Sequence, residues 1–128
     1  MQLGRTTVAV TMLLILFCAG AAPARAAGKV ATIKGYVFDS SCTFTKDLKK
    51  PVSPECAVAC AKAGSPLVIQ TASGVIYLPI AGNQPASGQN DKLMPYAGQM
   101  VTVTGTVYMK GGTHAIVIDK IEAASAGK

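Results

Sequence analysis

The chain has 128 residues, 50 % of them hydrophobic and 14 % charged, too apolar for a disordered chain and too short for two ordinary domains. Its net charge of +6 comes from twelve Lys and Arg against six Asp and Glu, and one histidine with six scattered acids leaves little from which to build a general acid/base pair. No G-x-S-x-G, H-E-x-x-H, P-loop or dinucleotide fingerprint occurs, so these features point away from an enzyme.

The N-terminus carries one early arginine, Arg5, then an apolar run from Val8 to Ala22 followed by small residues. That run is short for a membrane crossing and reads as a secretory signal peptide over 1–26. Ala24-Arg25-Ala26 is the expected cleavage site and Ala22-Pro23-Ala24 the second choice. An uncleaved anchor is the alternative. Cys18 follows Phe17, whereas a lipid-modified cysteine needs a small residue before it. Cleavage removes Cys18, Arg5 and Arg25, leaving three cysteines and ten lysines against six acids, a net +4. With no arginine left and the lysines scattered, no nucleic-acid partner is expected. The mature domain, 27–128, is expected in the periplasm or secreted, without a stable membrane anchor.

From Lys29 to Phe38 polar and apolar residues alternate, which predicts a long strand, and Gly35 in its middle predicts a bend or bulge. Ser41 to Ser53 is polar, bears lysines, and is closed by Pro51 and Pro54, a loop by composition. Ser53-Pro54-Glu55 then reads as a helix start: a capping serine, proline at the first position, and an acid in the first turn. The helix is expected to run to about Ala63, with Gly64 as its cap and Cys56 and Cys60 aboard. Leu67 to Thr71 and Val75 to Pro79 form a predicted hairpin around Ala72-Ser73-Gly74, and Ala81 to Asn90 a loop. Asp91 to Ala97 fits one helical turn capped by Gly98. A second hairpin, Met100 to Met109 and Ala115 to Ile121, turns at Gly111-Gly112 with Gly105 mid-strand.

Five strands, two of them long and glycine-broken, with a short helix between the first and second, predict a mainly β fold: a five-stranded OB-like barrel. A helix-covered open sheet is the alternative. The stretches GYVFDSSC, CAVACAKAGSPLVIQTASGVIYLP and YAGQMVTVTGTVY resemble a group of small exported bacterial OB-fold-like proteins with a G-x-V-x-D-x-x-C, C-x-x-x-C-x-x-x-G and A-G-x-x-V-x-V-x-G pattern. The resemblance covers most of 33–121 and implies the barrel and the exported compartment rather than an activity. Members often carry a histidine shortly after the first cysteine, where this chain has Thr43-Phe44-Thr45.

Cysteines one helical turn apart share a face with Cβ atoms about 5–6 Å apart, whereas a disulfide needs about 3.8 Å. Cys56 and Cys60 are therefore expected to look to Cys42, and a bridge from Cys42 to either would contribute on the order of 3 kcal/mol by closing the intervening loop. The leftover thiol is then buried as a small apolar group or is reactive. Cys56, near the third helical position, is the likelier nucleophile. A second reading keeps all three reduced: Cys42, Cys56 and Cys60 would ligate copper(I) or zinc, with Asp39, His114 or a methionine as a fourth ligand. Asp39 is expected to cap the following loop and His114 to be a bystander. Tyr36, Phe38, Tyr77 and Tyr108, on alternating strand positions, are expected to fill the core rather than stack bases. The preferred expectation is an exported, non-enzymatic binding module held by a Cys42 disulfide, its partner a protein or small ligand. The alternatives are a copper- or zinc-binding protein and a thiol-disulfide partner protein acting through Cys56.

Overall fold

The computed structural model describes residues 27–51 and 53–125, so the signal peptide expected over 1–26, with Cys18, lies outside the described residues. The first strand, β1 (Lys29–Asp39), is long enough to serve two neighbours. Its first part pairs antiparallel with β4 (Met100–Lys110), from Lys29 opposite Val107 to Tyr36 opposite Met100. Its last part pairs with β2 (Leu67–Thr71), from Gly35 opposite Thr71 to Asp39 opposite Leu67. The handover is at Gly35, which has a partner on each side. A Cβ there would lie 2.5 Å from the Gln70 carbonyl oxygen, so only glycine lets β2 approach this closely.

β3 (Ile76–Pro79) pairs with β2 and, in parallel, with β5 (Thr113–Ala123), and β5 pairs with β4. The strand order β1-β2-β3-β5-β4 closes into a barrel, so the protein is a five-stranded OB-like β-barrel and the open-sheet alternative falls. The predicted irregularity at Gly105 is a register shift between Thr104 and Gly105. Between β1 and β2 lie two helices rather than one: α1 (Ser40–Thr45) and α2 (Pro54–Lys62). The expectation of a loop from Ser41 is corrected here. Ser, Cys, Thr and Phe are weak helix formers, but Asp39 caps the first turn, and the Thr43 and Thr45 hydroxyls donate to the carbonyls of Asp39 and Ser41, at 2.7 Å each. The helical turn expected at 91–97 divides into α3 (Asn90–Leu93) and a 3₁₀ turn (Met94–Tyr96), since Pro95 has no amide hydrogen to continue an α-helical ladder.

Val37, Ile69, Leu93, Val101, Val103 and Ile116 are wholly buried inside the barrel, joined by Ala57 and Ala61 of α2. Each large aliphatic side chain so buried contributes about 1.5–3 kcal/mol against exposure. One residue further along β1 the pleat points the other way. Phe38, opposite Val68, lies outside that core and lines a small cavity with Cys42, Leu48, Pro51 and Ala57. The barrel thus has a second, smaller apolar layer under α1 and α2, and it carries the site.

Candidate functional site: a thiol and carboxylate cluster beside an apolar cleft

β1 ends on three successive buried residues, Val37, Phe38 and Asp39. Asp39 is the N-cap of α1, and its Oδ1 accepts from the Cys42 amide at 2.8 Å, the capping role its position predicts. Across the gap, Ser53 caps α2 and its Oγ accepts from the Cys56 amide at 3.1 Å. The two helix starts are built alike. Each puts a cysteine at the third helical position with its amide held by the cap, and both open on one cavity of about 10 Å³ lined by Asp39, Cys42, Ser53 and Cys56. A cavity of that size holds about one water molecule, so it is a place for contact between side chains rather than for a ligand.

Cys60, one turn beyond Cys56, lies beside the Cys56 thiol. All three cysteines are half-buried and free, with no pair at bonding distance; Cys42 shares its cavity with Cys56, and Cys56 lies against Cys60. Desolvation pushes the Cys42 thiol up, with the hydrogen bond and the negative charge of Asp39 pushing the same way and Lys46 pulling down. Cys60 is likewise raised, first by desolvation, then by the charge of Asp39 and by Cys56. A thiol raised in the folded state adds stability in full below its unfolded pKa of about 8.5, and loses it as pH rises through the folded value. The reduced protein is therefore expected to unfold at lower denaturant at pH 10 than at pH 7. The Cys42→Ser/Cys60→Ser variant should show a shallower fall in denaturant midpoint, and an unchanged slope would contradict the assignment.

Among the described residues, no group of three or more His, Cys, Asp or Glu is placed to hold a metal ion. His114, the proposed extra ligand, instead packs on Tyr77 with ring centroids 5.2 Å apart. It lines a different feature, an apolar cleft of about 490 Å³ walled by Phe44 of α1, Val68 of β2, Ile76 and Leu78 of β3, and Thr113 and His114 after the last turn. The cleft exists because β2 and β3 pair at only two positions, Ile69 with Tyr77 and Gln70 with Ile76, before diverging. Phe44 is 70 % and Leu78 38 % exposed at its rim. Of the four aromatics considered for stacking, Phe38 is buried edge-on against Tyr36, and Tyr77 packs on the core.

Sequence reasoning passed over Phe44 and Asn90. Asn90 ties three elements together: its Oδ1 accepts from the Leu67 amide at 2.9 Å, and its Nδ2 donates to the carbonyls of Ala61 and Ser65 at 3.2 and 2.8 Å. An asparagine at the end of a polar loop carries no local mark of such a role. Fold and site together define a closed OB-like barrel with a thiol and carboxylate cluster next to an open apolar cleft. No family model, curated protein or solved structure matches this chain.

Proposed function

We propose that this protein is an exported, non-enzymatic binding module whose ligand, a small molecule or a protein segment, buries an apolar group in the cleft between β2, β3 and α1. The observation that carries the reading is the cleft itself, whose volume of about 490 Å³ falls in the range of small-molecule sites. It occupies the face of strands 2 and 3 flanked by the first and last connections, where barrels of this class take their ligands. Among the described residues other surface openings exist, and this one is set apart by walls that are almost wholly apolar and by the exposed Phe44 and Leu78 at its rim.

A Cys42 disulfide would clamp the α1 wall of this cleft. Cys56 is the better partner for it than Cys60, because Cys42 and Cys56 line the same cavity. Export, to the periplasm or beyond, is supported by the pattern over 1–26, and it is the compartment in which such a bridge persists.

Titration with the apolar fluorophore 1-anilinonaphthalene-8-sulfonate tests the cleft. One site per chain is expected, and Leu78→Glu, which changes a partly exposed rim residue and repels the sulfonate, should weaken it at least about ten-fold, equivalent to about 1.4 kcal/mol. Equal binding to wild type and Leu78→Glu would refute the cleft as the ligand site.

A further inference from the structure

The Asp39 carboxylate is only half used. Oδ1 caps Cys42, but Oδ2 is buried with no hydrogen-bond partner among the described residues, on a side chain that is 2 % exposed and lines the cavity shared by Cys42 and Cys56. A buried carboxylate oxygen without a partner is costly, and the Cys42 thiol, already held in its protonated form by Asp39, is the donor at hand. The carboxylate's charge acts on Cys42 of α1 and Cys60 of α2, and Lys46, just after α1, and Cys56 of α2 act on the same two thiols. Of these, Cys42 and Cys56 line the same cavity as the carboxylate.

We propose that Cys42 and Cys56 form a dithiol-disulfide exchange site in which Asp39 moves the protons. This goes beyond the cleft and does not rest on it. The co-reactant is a donor disulfide, R–S–S–R′, on another exported molecule. Asp39 takes the Cys42 proton, and the Cys42 thiolate attacks one donor sulfur. The donor S–S bond breaks, R′S⁻ leaves and takes that proton to become R′SH, and Cys42 is left bonded to R through sulfur. Asp39 then takes the Cys56 proton, and the Cys56 thiolate attacks the Cys42 sulfur. The bond to R breaks, and RS⁻ leaves with the proton. The donor gains two electrons and the pair loses two, yielding one Cys42–Cys56 disulfide and two free thiols. A base is needed because desolvation and the carboxylate hold the Cys42 thiol in its protonated, unreactive form. Cys60 remains a thiol beside the bridge, which accounts for the odd count.

The test uses the reduced protein, wild type and Asp39→Asn, whose amide oxygen keeps an acceptor for the Cys42 amide. Removing the negative charge increases the thiolate fraction, so Cys42 should alkylate faster with iodoacetamide at pH 7 in the variant. Formation of the intramolecular disulfide from oxidised glutathione should instead be about ten-fold slower, the loss of a general base outweighing the gain in thiolate. An exchange rate equal to or above wild type would show that Asp39 acts only as a charge and would overturn the proposal, as would a bridge mapped to any pair other than Cys42 and Cys56. Should the variant not fold, Cys56→Ser decides: with oxidised glutathione it is expected to stop at the mixed disulfide on Cys42, and an intramolecular bridge formed at the wild-type rate through Cys60 counts against the proposal. Fluorophore binding at the cleft is unaffected by either result, so the two readings stand or fall separately.

Discussion

Replacing Phe38 with alanine is expected to cost about 4 kcal/mol, the middle of the range for truncating a fully buried aromatic side chain. Phe38 is 1 % exposed and lies between the barrel wall and the two helices, so its removal leaves a void continuous with the cavity of Cys42 and Cys56. A domain of this size has a net stability of about 5–15 kcal/mol, and the loss corresponds to a fall in Tm of about 20 °C. The same variant should expose the two thiols, seen as faster alkylation under native conditions. The contrast is Phe44, six residues on and 70 % exposed, whose change to alanine should stay within about 0.5 kcal/mol. Denaturant unfolding of both variants provides the check. A small loss for Phe38→Ala would mean that the layer under the helices is not packed as described.

The second large effect is at Gly105. A Cβ there would stand 2.1 Å from the carbonyl oxygen of Val117, a backbone atom held in the β4 and β5 ladder, so no side chain can swing aside to make room. Gly105→Ala must part β4 and β5 at their register shift, and the expected cost is about 3 kcal/mol, the upper part of the usual range for overpacking. Gly88→Ala is the control, since nothing lies within 4 Å of its added methyl group. That change should be neutral or slightly stabilising, because it restricts the unfolded chain. Thermal unfolding of the pair would refute the close-approach account if the two variants melted together.

The two long strands, the Ser53 cap of α2, the first hairpin and the last glycine turn were all legible, because each is written in neighbouring residues: alternation with a period of two, a cap three residues from the amide it holds, glycine at a turn. α1 was not. Its six residues have poor helix propensity, and the helix stands on side-chain bonds from Asp39, Thr43 and Thr45 that compositional reading counts as loop signals. The 3₁₀ turn at Met94 was half legible, its proline visible but its consequence for the ladder missed.

The candidate site divides in the same way. Spacing alone put Cys56 and Cys60 on one face of a helix and turned both toward Cys42, and in the fold Cys56 shares a cavity with Cys42 and lies against Cys60. Nothing local shows that Cys42 starts a helix of its own, that its cap is a buried carboxylate with one oxygen bare, or that His114 belongs to the cleft. The cleft could not be read at all, since it is a gap between β2 and β3 rather than a run of residues.

What the amino-acid order determined unaided, then, was the five strands and α2, the mainly β class and the shared face of the helix cysteines, all consequences of backbone periodicity and capping within a few residues. Closure of the barrel through the parallel pairing of β3 with β5, the burial of Asp39 and the opening of the cleft were decided only in three dimensions. They depend on contacts between residues tens of positions apart, such as Tyr77 with His114 or Leu67 with Asn90, whose free energy comes from packing and desolvation that no local pattern encodes.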